Sequence, residues 1–113
     1  MSGNQNDEVR IIRDINDAFR KTGIGGRIML TINVRELGEQ SVKKILKSIG
    51  NFSDFNENDN PHGENDFGSI IYKGNMILWK IDYYDRNLEF GSPDPSDASL
   101  TTRVMTIMCA DEY

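Results

Sequence analysis

The chain reads as a small α+β domain, an antiparallel sheet built around a central hairpin and packed against about three helices. Three observations predict this. Two segments repeat apolar residues at three- and four-residue steps, and one pair of β-branched and aromatic runs is separated by a short glycine-containing turn. At 113 residues the chain has the length of one domain, read here as a single unit over 1–113.

Residues 8–22 carry the first helical repeat, with Ile11, Ile12, Ile15, Ala18 and Phe19 inward and Arg10, Arg13, Asp14, Asp17 and Arg20 opposite. Gly23 follows where a left-handed cap is wanted. The run 27–32 is apolar and β-branched, a strand. A second helix over about 40–49 buries Val42, Ile45, Leu46 and Ile49, turns Lys43, Lys44 and Lys47 to water, and ends at Gly50. Residues 51–66 have no periodicity and are dense in Asn, Asp, Gly and Pro, a loop.

The hairpin follows, with strands over 67–72 and 76–84 joined by Lys73-Gly74-Asn75. Its second strand is apolar on both faces, Ile77, Trp79, Ile81 and Tyr83 on one and Met76 and Leu78 on the other. That pattern predicts a central strand with helices over part of its second face. Residues 88–90 suggest a short third strand, and 91–95, with two prolines, a turn. Asp97 or Ser99 is placed to cap a last helix to about residue 110, with Leu100, Val104, Ile107 and Met108 inward. Cys109 falls on that helix as a buried, inert thiol. Residues 1–7, small, polar and acidic, are expected to be a flexible terminus.

Charge is unevenly spread. The net value of −5 divides into +3 over residues 1–49, −7 over 50–97 and −1 over the rest. Within 51–66 stand Asp54, Glu57, Asp59, Glu64 and Asp66 with no Lys or Arg. Those acids account for the whole net charge, so the remainder is neutral. An acidic chain lacks the clustered Lys and Arg needed for phosphate, which argues against direct nucleic-acid binding and against an anionic membrane surface. No apolar run reaches the roughly 18–20 residues of a membrane span, and the first residues do not form a signal peptide. The single cysteine permits no intrachain disulfide. A cytoplasmic protein is expected.

The concentrated chemistry lies in the acidic loop, which holds the chain's one histidine. In an extended segment His62, Glu64 and Asp66 project to one side. With Asp82 on the following strand they make a candidate set for a divalent cation. The same region offers an acid/base group of His62, Glu64 and Asp85, the makings of a metal-dependent or acid/base hydrolase. The structural alternative is a polar loop whose Asn and Asp side chains satisfy its own backbone. A third use is a contact face in which Asp54, Glu57, Asp59 and Asp66 meet a basic protein surface. His62-Gly63-Glu64 has half of a zinc-deaminase pattern, but the Pro-Cys-x-x-Cys half is absent. The glycines at 23–26 run from helix into strand, opposite to a phosphate loop, and read as a capping turn.

The stretches DNPHGENDFG (59–68), WKIDYYDR (79–86), GSPDP (91–95) and RVMTIMCADEY (103–113), with NDAFR (16–20) and GGR (25–27), resemble a family of small bacterial proteins, domain of unknown function 3768. The resemblance implies no established activity. It implies an alphaproteobacterial, often plasmid-borne setting and hence an accessory role, such as acting on a host defence or nucleic-acid-processing protein. Members of that family tend to carry a second histidine where this chain has Asn65.

Overall fold

A computed structural model describes residues 5–113. Helix α1 (Gln5–Thr22) leads into strand β1 (Gly26–Leu30), the short helix α2 (Ile32–Arg35) and helix α3 (Glu39–Asn51). After the loop come strands β2 (Phe67–Tyr72), β3 (Asn75–Tyr84) and β4 (Thr102–Cys109), with one-turn 3-10 helices at Ala98–Leu100 and Ala110–Glu112. The four strands lie in the order β1-β4-β3-β2. The pairs β2–β3 and β3–β4 are antiparallel, while β1 runs parallel to β4. The α+β class holds, with one parallel pair in an otherwise antiparallel sheet.

One sheet face meets the helices. Ile77, Trp79 and Ile81 of β3 and Met105 and Ile107 of β4 are buried against Phe19, Val34, Ile45 and Ile49. Trp79 is the centrepiece. An added Cβ at Gly68, its cross-strand neighbour, would lie 2.7 Å from the indole, so only glycine fits there. At Gly50 a Cβ would come 3.0 Å from the Arg20 carbonyl, which is how closely α3 approaches α1.

Several expectations are corrected. The segment expected as a last helix is strand β4. It carries two periods at once, helical for Leu100, Val104, Ile107 and Met108 and alternating for Arg103, Met105, Ile107 and Cys109. Ladders to β1 on one side and β3 on the other decide for the strand, and β-branched Thr102, Val104, Thr106 and Ile107 suit it. Cys109 therefore sits on a strand, and Asp97 caps only a 3-10 turn, accepting from the Ser99 N–H. Residues 88–90 form no strand. The chain turns there, with Leu88 left-handed at φ 60° and one isolated bridge between Tyr84 and Gly91. The hairpin turn is two residues, Lys73 and Gly74, both left-handed, because Tyr72 pairs with Asn75. Strand β1 stops at Leu30 and Ile32 opens α2, while α3 continues through Gly50 to Asn51.

The inward stripe of α1 also differs. Ile12, Asn16, Phe19 and Arg20 are buried, whereas Ile11 is 42% exposed and Ala18 lies outside. Among the described residues no α-helix covers the second face of β3, where Leu78 and Met108 are buried. Met76 and its cross-strand partner Ile71 are exposed there, and the C-terminal turn, with Tyr113 against Phe67, lies on that side. Of the terminus expected to be flexible, residues 5–7 belong to α1 and 1–4 lie outside the described residues.

Candidate functional site

The acidic loop has two sides with opposite chemistry. Its inner side is fastened to α1 and the sheet. Asn60 closes a ring with Asn65, its amide donating to Asn65 Oδ1 at 2.8 Å and its Oδ1 accepting the Asn65 N–H at 2.9 Å. Gly63 and Asn65 are left-handed, φ 72° and 55°, and these kinks aim the backbone at α1. Arg13 Nη1 then donates to the Gly63 carbonyl at 3.2 Å, and Asn16 Nδ2 to the Glu64 carbonyl at 3.0 Å.

Beneath lies a buried polar chain. Arg103, 1% exposed, donates from Nε to Asn16 Oδ1 at 2.6 Å and from Nη2 to the Pro95 carbonyl at 2.7 Å. Its guanidinium stands 5.0 Å over the Tyr83 ring. Asn16 Nδ2 also donates to the Tyr83 hydroxyl at 2.8 Å, and that hydroxyl donates to Glu64 Oε1 at 2.8 Å. Burial pushes the Tyr83 phenol far above its ordinary pKa, so it stays a donor. Burial also pulls Arg103 below its ordinary value, opposed by Tyr83 and Glu64. A buried charge needs such partners, and Arg103 has them.

A second knot holds the neck of the loop. Asn65 Nδ2 donates to Asp17 Oδ1 at 3.0 Å, and Arg20 Nη2 donates to the same oxygen at 2.7 Å. Arg20 Nη1 donates to the carbonyls of Ile49 and Phe52 at 2.7 and 3.1 Å, closing the C-terminal end of α3. The guanidinium lies 5.1 Å from the Phe55 ring centre and 5.0 Å from that of Trp79.

The outer side is exposed acid, with Asp59 Oδ2 accepting from Asn56 Nδ2 at 3.2 Å. Asp54, Glu57 and Asp59 are exposed, on a turn held by Asn56, whose Oδ1 accepts the N–H groups of Asn58 and Asp59 at 2.9 and 3.0 Å. Asp66 is half-buried, and burial raises its carboxyl above the ordinary 3.8. It belongs to the inner side rather than to the exposed set.

The candidate chemical set forms no tight ligand cluster, although Glu64, His62 and Asp82 all act electrostatically on Asp66. His62 is exposed on the loop, whereas Glu64 turns inward to Tyr83, because the kinks at Gly63 and Asn65 break the alternation an extended segment would have. Asp82 lies on the open face of β3, 3.2 Å from Lys80 Nζ. Asp85 is spent on its own turn, its Oδ1 accepting from the N–H groups of Asn87 and Glu89 at 3.1 and 3.0 Å. No three ligand atoms of His62, Glu64, Asp66 and Asp82 lie within 4.8 Å of one another. Among the described residues only Cys109, Asp111 and Glu112 meet that distance. There Glu112 is already committed, accepting from Thr31 Oγ1 at 2.6 Å and from the Cys109 N–H at 2.8 Å.

Asn16, Asp17, Arg20, Tyr83 and Arg103 organise the loop, yet sequence reasoning gave none of them a role. The signal existed on α1, since residues 12, 16, 19 and 20 share one face at helical spacing. The family model described as protein of unknown function (DUF3768) matches residues 30–112. The chain belongs to that family. The DUF3768 match takes in the loop, the hairpin and β4, while Asn16, Asp17 and Arg20 on α1 precede it. The loop brace therefore joins the DUF3768 region to the preceding helix. No curated protein and no solved structure matches the chain. Among the described residues no helix is long and apolar enough to cross a membrane.

Proposed function

We propose that this DUF3768 protein is a non-catalytic interaction protein that presents Asp54, Glu57 and Asp59 on a braced loop to a basic protein surface. One observation carries the reading. The loop's inner side is fastened by hydrogen bonds to α1 and the sheet, while three carboxylates on its outer side are exposed. Bracing lowers the ordering cost of binding, and complementary charge accelerates encounter with a basic partner. The accessory role on a host protein in the cytoplasm, as an inhibitor encoded on a mobile element, fits a small charged module of this kind.

A metal-dependent or acid/base hydrolase draws less support, because Glu64 and Asp85 are committed to structural hydrogen bonds and neither is bonded to His62. The test is a titration of isotope-labelled protein with a Lys/Arg-rich peptide at low ionic strength, followed by amide shifts. The reading expects shifts concentrated at residues 54–62 that vanish at high salt. Shifts confined to other surfaces, or none, would overturn it.

A further inference from the structure

The sheet ends in two edge strands, β1 and β2, and they are guarded differently. Natural edges are blunted by charge, proline or a bulge, because a row of unpaired backbone groups invites another strand. Strand β1 is five residues long and carries the exposed Arg27. Strand β2 reads FGSIIY, with no charge and no proline, and its six-residue ladder to β3 runs without a bulge. We infer that this edge pairs antiparallel with the same edge of a second copy of the chain, centred on Ser69.

The hairpin fixes which backbone groups are available. Its two-residue turn makes Tyr72 and Asn75 a hydrogen-bonded pair, and at the other end the Ile81 N–H donates to the Asp66 carbonyl at 2.8 Å. Asp66, Gly68, Ile70 and Tyr72 therefore turn their backbone groups to β3, while Phe67, Ser69 and Ile71 turn theirs outward. Among the described residues no hydrogen bond reaches those outward groups.

The register about Ser69 matches the strand to itself. A two-fold axis sets Ser69 opposite Ser69 and Phe67 opposite Ile71 on both sides of it, so each outward N–H meets an outward carbonyl. The Phe67 and Ile71 side chains lie on the sheet face away from the helix core, where Ile71 is 67% exposed and its neighbour Met76 49%. An aromatic beside a β-branched residue is a favourable cross-strand pair, and this one covers Ile71.

Charge favours the antiparallel sense. Lys73 closes the hairpin end of β2, its Nζ 5.4 Å from the Tyr72 ring centre, and Lys44 also acts on the Tyr72 hydroxyl. The opposite end opens from Glu64 and Asp66. Lys80, cross-strand from Phe67 at that end, is paired with Asp82 at 3.2 Å. Two-fold pairing sets Tyr72 and Lys73 of each copy beside Asp66 and Asn65 of the other, whereas a parallel pairing would set Lys73 beside Lys73. A strand from another protein would have to supply each of these matches, and a second copy supplies them by symmetry.

The experiment is analytical ultracentrifugation of the full chain over a concentration series, with amide hydrogen exchange read at both ends of that series. A monomer–dimer equilibrium is expected, with exchange at Phe67, Ser69 and Ile71 slowing as the dimer fills. Ile71→Lys puts a charge on the edge at an exposed position, and Ser69→Pro removes a central N–H that β3 does not use. Each is expected to weaken association about tenfold or more. The Tm of Ile71→Lys should stay within about 3 °C of wild type where both are monomeric. A wild-type chain that stays single throughout overturns the inference. So does a dimer that Ile71→Lys leaves unweakened, or one in which the Ser69 and Ile71 amides exchange as fast as in the single chain. The exchange result on wild type decides the matter should Ser69→Pro not fold.

Discussion

The two sides of the loop over residues 51–66 are built from the same polar residue types and do opposite work. On the inner side Asn60, Glu64 and Asn65 each meet a fixed partner, and the chain of contacts runs through Asn16 and Tyr83 to a fully buried Arg103. On the outer side Asp54, Glu57 and Asp59 meet water and the loop's own turn. Polar groups stabilise a fold when burial makes their loss expensive, and they serve recognition when exposure leaves them free. The division predicts that inner substitutions change stability while outer ones change only binding.

The largest effect is expected at Arg103. Arg103→Met removes the cation that Asn16, Pro95 and the Tyr83 ring surround, leaving Asn16 Oδ1 and the Pro95 carbonyl without a donor. A loss of about 3–5 kcal/mol in denaturant unfolding is expected, a large share of the roughly 5–15 kcal/mol that holds a domain of this size folded. A loss below about 1 kcal/mol would mean that Arg103 is better hydrated than its burial says.

Asn16→Leu strips partners from Arg103, Tyr83 and the Glu64 carbonyl together and should cost about 2–4 kcal/mol. Tyr83→Phe removes one hydroxyl and should cost about 1–2 kcal/mol, with Glu64 left unpaired on that oxygen. The two should be less than additive, because they share a hydrogen bond, which a double-mutant cycle measures.

Asp66 breaks the symmetry of the comparison in the other direction. Burial raises its folded pKa above the ordinary 3.8, so the folded chain holds that proton more tightly than the unfolded chain. Its contribution to stability falls as pH rises from that ordinary value through the raised one, and ionisation at neutral pH is a cost. Asp66→Asn should therefore raise Tm at pH 7 by about 1–3 °C, with the gap closing as acid protonates the wild-type side chain. A lower Tm for the variant at pH 7 would show that the backbone hydrogen bond to Asp66 outweighs burial.

Sequence patterns reached the core and the loop and missed the brace between them. Helices α1 and α3 and the β2–β3 hairpin are written in local periodicity and in turn residues, so they are legible. Strand β4 is not, because a helical set (Val104, Ile107, Met108) and an alternating set (Arg103, Met105, Ile107) overlap in one segment and the choice is made by β1 and β3, which lie outside it in sequence. The brace was missed for a related reason. Arg20 reads as surface charge until the carbonyls of Ile49 and Phe52 are seen against it, and Arg103 has no reading until Asn16 is, and those partners come from distant segments. The acids themselves were legible as a count of charge. Which of them face water was decided by left-handed turns at Gly63 and Asn65, a detail that composition does not carry.

The measurement that bears most directly on the division is a fluorescence-anisotropy titration of a labelled Lys/Arg-rich peptide against wild type and Asp54→Asn/Glu57→Gln/Asp59→Asn, with Tm recorded for both. Three lost charge contacts should weaken binding by about tenfold or more, while stability stays within about 0.5 kcal/mol. Unchanged peptide affinity in a folded triple variant would contradict the account, because the acids facing water would then have no part in recognition.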